Sequence, residues 1–589
     1  TPDQTALALA SAAIDYHRRE NKSFWWDHFF RLRAPVEEWA DTRGVFVIDA
    51  AEVVRDWSIA SNDRNRSRQL VVTGSAAPGS TFSASDQPYV LYDPPFPPVA
   101  AKVEPGARLA HARVTFVELD DGTYLLTEKL ANKGETYSEL PLAVTPPSPP
   151  KTEVLASAIA EWGARVLGEL PELIPDAALD ILRRTPPRLP QLVRGDPATA
   201  IRDSLLALDR SYIAVQGPPG TGKTTVGSEV IAALVTDHGW KVGVVAQSHA
   251  TVEHMLRALV EKAGLDPALV GKVPKRGSDP VPVPWTGNPA TGLRGTGGFV
   301  IGGTVWTFAN ANLVERDSLD LLVIDEAGQF SLAGTIASAV SAKRLLLLGD
   351  PQQLPQVSQG THPEPVDVSA LGWLSHGHDV LPDEFGYFLE TSWRMHPALC
   401  APVSRLSYES RLHSHASDRS LAGVEPGLHP VPIMHTGNST SSVEEAAAVV
   451  AHVDRLIGMP WTSDGTARPL AEADIIVVAP YNAQVELIRS ALRSAGHPDV
   501  PVGTVDKFQG QEAAVAIVSL AASAADDVPR GLEFLLLANR LNVAISRAQW
   551  AAYLIYSPAL TEHLPGSIAG LAQLSAFIGL VEPDVEPED

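Results

Sequence analysis

Apolar positions recur first at helical and then at strand spacing along the opening quarter of the chain. Leu7, Ala10, Ile14 and His17 share one helical face, which predicts a helix over residues 5–33 closed by the aromatic cluster Ser23–Phe30 (SFWWDHFF). From about 44 to 147 the pattern becomes short β-rich runs with turn punctuation: GVFVIDA, RQLVVTG, PYVLYD and HARVTFVELDDGTYLLTEK. Asp121-Gly122 between two such runs predicts a hairpin. A small β-barrel or curled sheet is expected there. The proline-rich stretch Pro141–Pro150 forms a stiff exit, and Lys151–Leu170 reads as a second long helix.

From 211 onward, apolar runs alternate with helical stretches, the pattern of α/β domains with parallel sheets. A first block holds Tyr212–Gln216, Val242–Ala246, Phe299–Gly303, Leu321–Asp325 and Leu345–Gly349. A second holds Tyr387–Thr391, Ile475–Pro480, Val500–Val505, Ala514–Leu520 and Ala552–Tyr556. Two tandem α/β domains follow, joined around 360–385. The Pro/Gly-rich loop 271–297 carries Lys272, Lys275, Arg276 and Arg294, and is read as a solvated loop in preference to a nucleic-acid contact.

Composition narrows the function classes. At 589 residues the chain is too long for one core. No apolar run approaches the roughly 20 residues of a membrane-spanning helix and no signal-peptide pattern opens the chain, so a cytoplasmic protein without membrane association is expected. The single cysteine, Cys400, excludes an internal disulfide and a four-cysteine metal site. Because the chain starts at Thr1, it is read as a possible piece of a longer protein. The net charge of −23 opposes nucleic-acid binding by the surface as a whole, though not by a locally positive channel. Part of the acid lies in the tail Val581–Asp589, expected to be disordered.

Gly217-Pro218-Pro219-Gly220-Thr221-Gly222-Lys223-Thr224-Thr225 matches G-x-x-x-x-G-K-[ST] between a predicted strand and a predicted helix, the context of a phosphate-binding loop. Backbone amides and the helix N-terminus face the phosphates, Lys223 reaches the β and γ phosphates, and the Thr224 hydroxyl ligates Mg²⁺. Leu321–Asp325 ends in two adjacent carboxylates. Asp325 is placed to hold the metal-bound water and Glu326 to act as general base. ATP and Mg²⁺ are the implied substrate and cofactor.

Beyond them lie GDPQQLP (Gly349–Pro355), LETSWRMHPALC (Leu389–Cys400), VGTVDKFQGQEAAVAIVSL (Val502–Leu520) and NRLNVAISRAQ (Asn539–Gln549). In this order the segments resemble the motifs of superfamily 1 helicases, in particular the Upf-like branch (superfamily 1B), over residues 200–560. The set also resembles bacterial helicases joined to RecB-like nuclease domains. The resemblance implies two RecA-like P-loop domains with a helical stalk and a β-barrel accessory domain. The expected division is stalk 1–43, β-rich domain 44–147, second stalk helix 148–174, first RecA-like domain 175–375, second 376–575 and acidic tail 576–589.

Gln353 is placed to sense the γ-phosphate, and Arg394 and Arg547 to act as arginine fingers from the second domain; either arginine could instead sit in a surface salt bridge. Trp393 stands where the branch has Tyr and is either a base-stacking platform or a buried core ring, while Glu512 would face the ribose or base. Ser248, His249, Thr304, Tyr481 and Thr504 occupy the branch's strand-contacting positions, with ordinary strand-end capping as the alternative. The branch's adenine-reading Gln has no counterpart in Pro197–Ala214; Thr199 falls near its place, and relaxed nucleotide preference is expected.

The resemblance therefore implies an ATP hydrolase acting as a monomeric helicase or translocase on single-stranded nucleic acid. DNA is favoured over RNA, movement is five-prime to three-prime, and a nuclease domain is a possible partner upstream or in trans. The rivals are an ATPase that remodels protein–nucleic acid complexes without unwinding, and an ATP-switched scaffolding module.

Overall fold

The computed structural model describes residues 1–59, 64–77, 80–83, 86–99, 103–120, 122–132, 134–274, 282–415, 418–463, 465–508, 510–529 and 531–582. Asp121 of the expected hairpin turn, Lys275 and Arg276 of the basic loop, and the tail beyond Glu582 lie outside those residues. The chain divides into two compact units: Thr1–His17 with Thr152–Ser358 and His362–Asp589, and Arg18–Lys151 with Gln359–Thr361.

Within the first unit are two large all-parallel sheets, beside a two-stranded parallel pairing of Thr391–Ser392 with His413–Ser414. The first runs, in spatial order, Val270–Lys272, Phe299–Gly303, Lys241–Val245, Leu321–Asp325, Leu345–Gly349, Tyr212–Gln216 and Gly386–Phe388. Its strands are near-continuous apolar runs because helices cover both faces. Side-chain alternation divides each run between two cores. Tyr212, Ala214, Leu322, Ile324, Leu345 and Leu347 join one core, and Ile213, Val215, Leu321, Val323, Leu346 and Leu348 the other. The first core also takes in Ala6, Leu9 and Ala13 of helix Pro2–Ile14, and Leu155, Ile159 and Trp162 of helix Glu153–Gly168. The Trp162 indole donates to Asp176, itself the N-cap of helix Ala177–Arg183, so this aromatic is buried with its polar atom satisfied.

The second sheet runs Gly427–Pro432, Ala548–Tyr556, Ala513–Ser519, Ile475–Val478 and Val502–Gly503. Here too the apolar runs alternate between two cores, with Ile476, Val478, Ala516 and Val518 on one side and Ile475, Val477, Val515 and Ile517 on the other.

Several expectations are corrected. The strand expected at Tyr387–Thr391 in the second block is Gly386–Phe388 and pairs in parallel with Tyr212–Gln216, so the first sheet extends past residue 375. A Cβ at Gly386 would lie 1.7 Å from the Ala214 carbonyl oxygen, so only glycine permits that pairing. The helix expected over 5–33 is two helices, Pro2–Ile14 and Tyr16–Arg31, broken at Asp15, and the two units divide between His17 and Arg18. Residues 576–581, expected in the acidic tail, lie in a helix instead. Helix Ile568–Val581 continues through that point because Phe577, Leu580 and Val581 are buried against the second sheet's core.

The second unit holds a seven-stranded antiparallel sheet in the order Leu109–His111, Tyr89–Tyr92, Ala143–Thr145, Phe46–Ile59, Arg66–Ala76, Thr123–Lys129 and Val114–Asp120. Val114–Asp120 and Thr123–Lys129 form the expected hairpin. Inside, Phe46, Phe116 and Tyr124 stack around Leu70, Val72 and Leu126. Arg68 and Glu128 form a fully buried ion pair at 2.5 Å, closed by the Tyr92 and Tyr137 hydroxyls.

Candidate nucleotide site

The buried strand Tyr212–Gln216 delivers the chain into the loop Gly217–Gly222, and helix Lys223–His238 starts directly after it. Gly220 and Gly222 have φ of +76° and +79°, left-handed conformations that glycine adopts without steric cost. Gly217 donates its N–H to the Gly349 carbonyl at 2.9 Å, and the Thr221 hydroxyl donates to the Pro218 carbonyl at 2.8 Å. Lys223 folds back so that its ammonium donates to the Gly217 carbonyl at 2.5 Å. A Cβ at Gly217 would lie 2.2 Å from Lys223 Cγ, so the glycine makes room for that side chain. Pro218 and Pro219 are buried, whereas Thr224 and Thr225 are half-buried on the first helical turn.

Three carboxylates surround this cation. Asp325, at the tip of strand Leu321–Asp325, is buried and accepts the Glu326 N–H at 3.0 Å. Burial, reinforced by the charge of Glu326, pushes the Asp325 carboxyl well above its ordinary range, with Lys223 acting in the opposite direction. Glu326 holds a left-handed backbone at φ 54°, a strained conformation for a residue with a side chain. Asp350, one residue beyond strand Leu345–Gly349, is 1% exposed; burial raises its pKa while Lys223 and its hydrogen-bond donors lower it. Gly328 and Gly349 bring the two strand-end turns together: a Cβ at Gly328 would lie 2.3 Å from the Asp350 carbonyl oxygen. Among the described residues no cluster of three metal-ligating side chains exists. Thr224, half-buried on the first helical turn, and Asp325 at its strand tip could supply the one or two protein oxygens by which Mg²⁺ is commonly held beside substrate phosphates.

Asp350 is also a junction. It accepts from the Gln352 N–H at 3.1 Å, Gln353 Nε2 at 3.2 Å, Gln216 Nε2 at 3.4 Å and the Tyr408 hydroxyl at 2.7 Å. The Tyr408 oxygen in turn accepts from Asn542 Nδ2 at 2.8 Å. Asn542 and Asn539 lie on helix Ala538–Ile545 and also donate to the carbonyls of Gln352, Pro351 and Gln353. The turn after a strand of the first sheet is thus gripped by a helix that packs on the second.

The segment 391–394 reaches the phosphate loop itself. Ser392 Oγ donates to the Pro219 carbonyl at 2.9 Å and the Trp393 N–H to the Gly220 carbonyl at 2.8 Å. Arg394 Nε donates to Glu512 at 2.6 Å, and its Nη1 to the Ser546 carbonyl at 3.2 Å. Burial alone would raise the Glu512 pKa, but Arg394 and the Gln549 amide hold it below the ordinary carboxylate range. Arg547 is 2% exposed and donates to the carbonyls of Val543, Gln511 and Phe508; burial, with Arg394 nearby, pushes its pKa down to about 9. Arg394 is thus in a salt bridge with the part-exposed Glu512, whereas Arg547 is buried on backbone carbonyls. Trp393 is not a core ring: it is 57% exposed and stacks on His415 at 4.2 Å and 25°.

Two AAA domain families match the chain, one over residues 198–366 and the other over 373–558. The chain is 25% identical over 353 residues to the DNA replication ATP-dependent helicase/nuclease DNA2 of Gallus gallus, covering 58% of this chain and 34% of that protein. It is 29% identical over 265 residues to the DNA-binding protein SMUBP-2 of Rattus norvegicus, covering 40% and 25%. With the 3'-5' exoribonuclease HELZ2 of Homo sapiens it shares 30% identity over 279 residues, covering 42% and 9%. These matches show two AAA domains in tandem and a likeness to proteins that include a named ATP-dependent helicase. The chain spans about a third or less of the length of these relatives.

The candidate strand-contacting residues follow other strands than the one that leads into the phosphate loop. Ser248 and His249 follow strand Lys241–Val245, and Thr304 follows its neighbour Phe299–Gly303. Tyr481 follows Ile475–Val478, and Thr504 follows its neighbour Val502–Gly503. All five therefore lie at the C-terminal ends of parallel strands, where loops carry ligands in open α/β sheets. Ser248 caps helix His249–Glu261 through its hydroxyl, whereas Thr304 and Tyr481 occupy N-cap positions without a side-chain capping bond.

Among the described residues no helix is long and apolar enough to cross a membrane. Sequence reasoning missed Asp350, Tyr408, Ser392 and Asn542. Asp350 could have been found as an acid directly after a fully apolar strand, as Asp325 was. The others are ordinary polar residues whose partners lie far away in the chain.

Proposed function

We propose that this chain is a helicase that moves five-prime to three-prime along single-stranded DNA by closing its two parallel-sheet domains on ATP and reopening them after hydrolysis. The observation that carries the reading is the double attachment of the phosphate-loop side to the second sheet, through the chain Asn542–Tyr408–Asp350 and through Ser392 and Trp393 on Pro219 and Gly220. A change at the phosphates is thereby felt at the second domain, as a motor requires.

In this reading the loop amides and Lys223 cradle the triphosphate, and Glu326 takes the proton of the attacking water. Thr224 and Asp325 hold Mg²⁺, which neutralises phosphate charge. Gln353 reports the γ-phosphate, its amide held meanwhile on Asp350. Arg394 and Arg547, drawn in from Glu512 and the surrounding carbonyls, offset the charge that develops at transfer. Trp393, exposed beside His415, offers a face to the base, while Glu512 sets Arg394 and can reach the ribose. The Thr199 N–H donates to Asp196 at a helix start; relaxed base preference is expected because no Gln stands in Pro197–Ala214. Ser248, His249, Thr304, Tyr481 and Thr504 hold the strand across the two sheets. Similarity to DNA2, a DNA replication helicase/nuclease, and to SMUBP-2, a DNA-binding protein, supports DNA as the substrate. The domain limits expected from the sequence belong to the same proposal, with the first domain extended through Phe388.

ATP turnover measured with no nucleic acid, with single-stranded DNA and with matched RNA tests the reading. Strong stimulation, greater with DNA and lost in Lys223→Ala, is expected. Binding of ATP without any stimulation would instead support a switched scaffold.

A further inference from the structure

The helix Tyr16–Arg31, which belongs to the second unit from Arg18 onward, plays no part in the nucleotide site, yet it carries a stripe of rings and cations. Arg18, Lys22, Trp25, Trp26 and Phe29 recur at intervals of three, four and seven residues, which places them on one helical face, and Arg33 follows two residues past the helix end. All six are exposed, Trp26 at 65% and Phe29 at 57%. The opposite face is anchored: His28 and Arg31 are buried, with the His28 ring 4.5 Å from Tyr89. The helix end is pinned by Arg108, whose Nη1 donates to the carbonyls of Arg31 at 3.0 Å and Ala34 at 2.6 Å. The stripe is therefore presented by a fixed element.

Burying such rings is the ordinary outcome for Trp and Phe, so a contiguous exposed set marks an interaction surface. Every exposed large apolar residue of this helix is aromatic. Flat rings suit nucleobases, every one of which offers a π face, whereas a lipid or an apolar protein groove is equally served by Leu and Ile, which are missing from the stripe. Two cations on this face, with Arg33 past the helix end, complement phosphates in a chain whose net charge is −23. From Arg18 to Phe29 the helix rises about 16 Å, the length of roughly five stacked nucleotides.

We propose that this face is a second single-stranded nucleic-acid site, in which Trp25, Trp26 and Phe29 stack on bases while Arg18, Lys22 and Arg33 take the phosphates. It rests on the reading of the core as a nucleic-acid motor. Arg33, paired with Glu104 in this structure, exchanges that carboxylate for a phosphate.

The full chain, free of nucleotide, is titrated with labelled oligo(dT) and oligo(rU) by fluorescence anisotropy, and the oligonucleotide concentration giving half-maximal ATPase stimulation is measured in parallel. Trp26→Ala/Phe29→Ala is expected to weaken binding tenfold or more and to raise the half-stimulating concentration similarly, while Trp26→Phe, which keeps a ring, stays within about threefold of wild type. Lys22→Glu, a charge change at an exposed position, should weaken binding and flatten its salt dependence by about one ion. Equal loss for the two oligonucleotides supports a site that reads rings and phosphates; loss for only one narrows it to that nucleic acid. Wild-type affinity in both the double variant and Lys22→Glu overturns this site and leaves the motor reading standing. Failure of the wild type to bind or be stimulated at all overturns both. Binding to phosphatidylserine vesicles that the double variant loses, with oligonucleotide affinity unchanged, assigns the face to a membrane instead and overturns the proposal.

Discussion

Replacing Gly220 by alanine probes the join between the phosphate loop and the segment that carries Arg394. A Cβ there would lie 2.4 Å from Arg394 Cβ and 2.8 Å from Ser392 Oγ, on a backbone with φ +76°. Gly222, two residues on, has nearly the same backbone, φ +79°, but its Cβ would meet only Thr225 Cβ at 4.0 Å. Gly222→Ala therefore carries the left-handed penalty alone, about 1–2 kcal/mol. Gly220→Ala adds an overpacking cost of about 1–3 kcal/mol and strains two hydrogen bonds each worth about 1 kcal/mol. The total is about 4–7 kcal/mol if both bonds are lost. Calorimetric melting without nucleotide reads the difference: a fall of about 2–8 °C for Gly222→Ala and about 8–28 °C for Gly220→Ala, at roughly 2–4 °C per kcal/mol for domains of this size. Equal shifts would refute a packed join between loop and segment.

Glu326→Gln should abolish stimulated turnover while ATP still binds, measured by single-turnover hydrolysis beside calorimetric titration; full turnover would remove Glu326 as the base. Tyr408→Phe deletes a hydroxyl donating to buried Asp350, with an expected destabilisation of about 2 kcal/mol in urea unfolding and loss of much of the nucleic-acid stimulation. For His28, burial first and Arg31 second push the pKa down to about 4 from an ordinary 6.5. The unfolded chain then binds the proton first, so stability is full above pH 6.5 and falls by a few kcal/mol as pH drops towards 4. Melting of the β-domain should track that window, and His28→Gln should flatten it.

The phosphate loop and the strands around it were legible because each strand of a covered parallel sheet is a bounded apolar run, and because phosphates demand glycine and lysine at fixed spacing. Which sheet a run joins is a different matter. Tyr387 and its neighbours read as strand, but the partner is a strand some 170 residues earlier, and only the glycine at 386 admits it. Strand Gly427–Pro432 escaped notice because Pro430 and Pro432 spoil a strand pattern; both are tolerated because this strand lies at the sheet's edge. The chain Asn542–Tyr408–Asp350 left no local trace, since each member is defined by a partner more than fifty residues away. The aromatic cluster near Trp26 was visible as composition, but not that the helix breaks at Asp15 and leaves those rings outside.

Coupled movement along a strand is tested most directly by unwinding of duplexes that carry a single-stranded tail at either end, in DNA and in matched RNA, with ATP and Mg²⁺. Strand separation from the five-prime-tailed DNA, lost in Glu326→Gln, is the predicted result. ATP turnover stimulated by the tails with no separation of any of the four duplexes would contradict it.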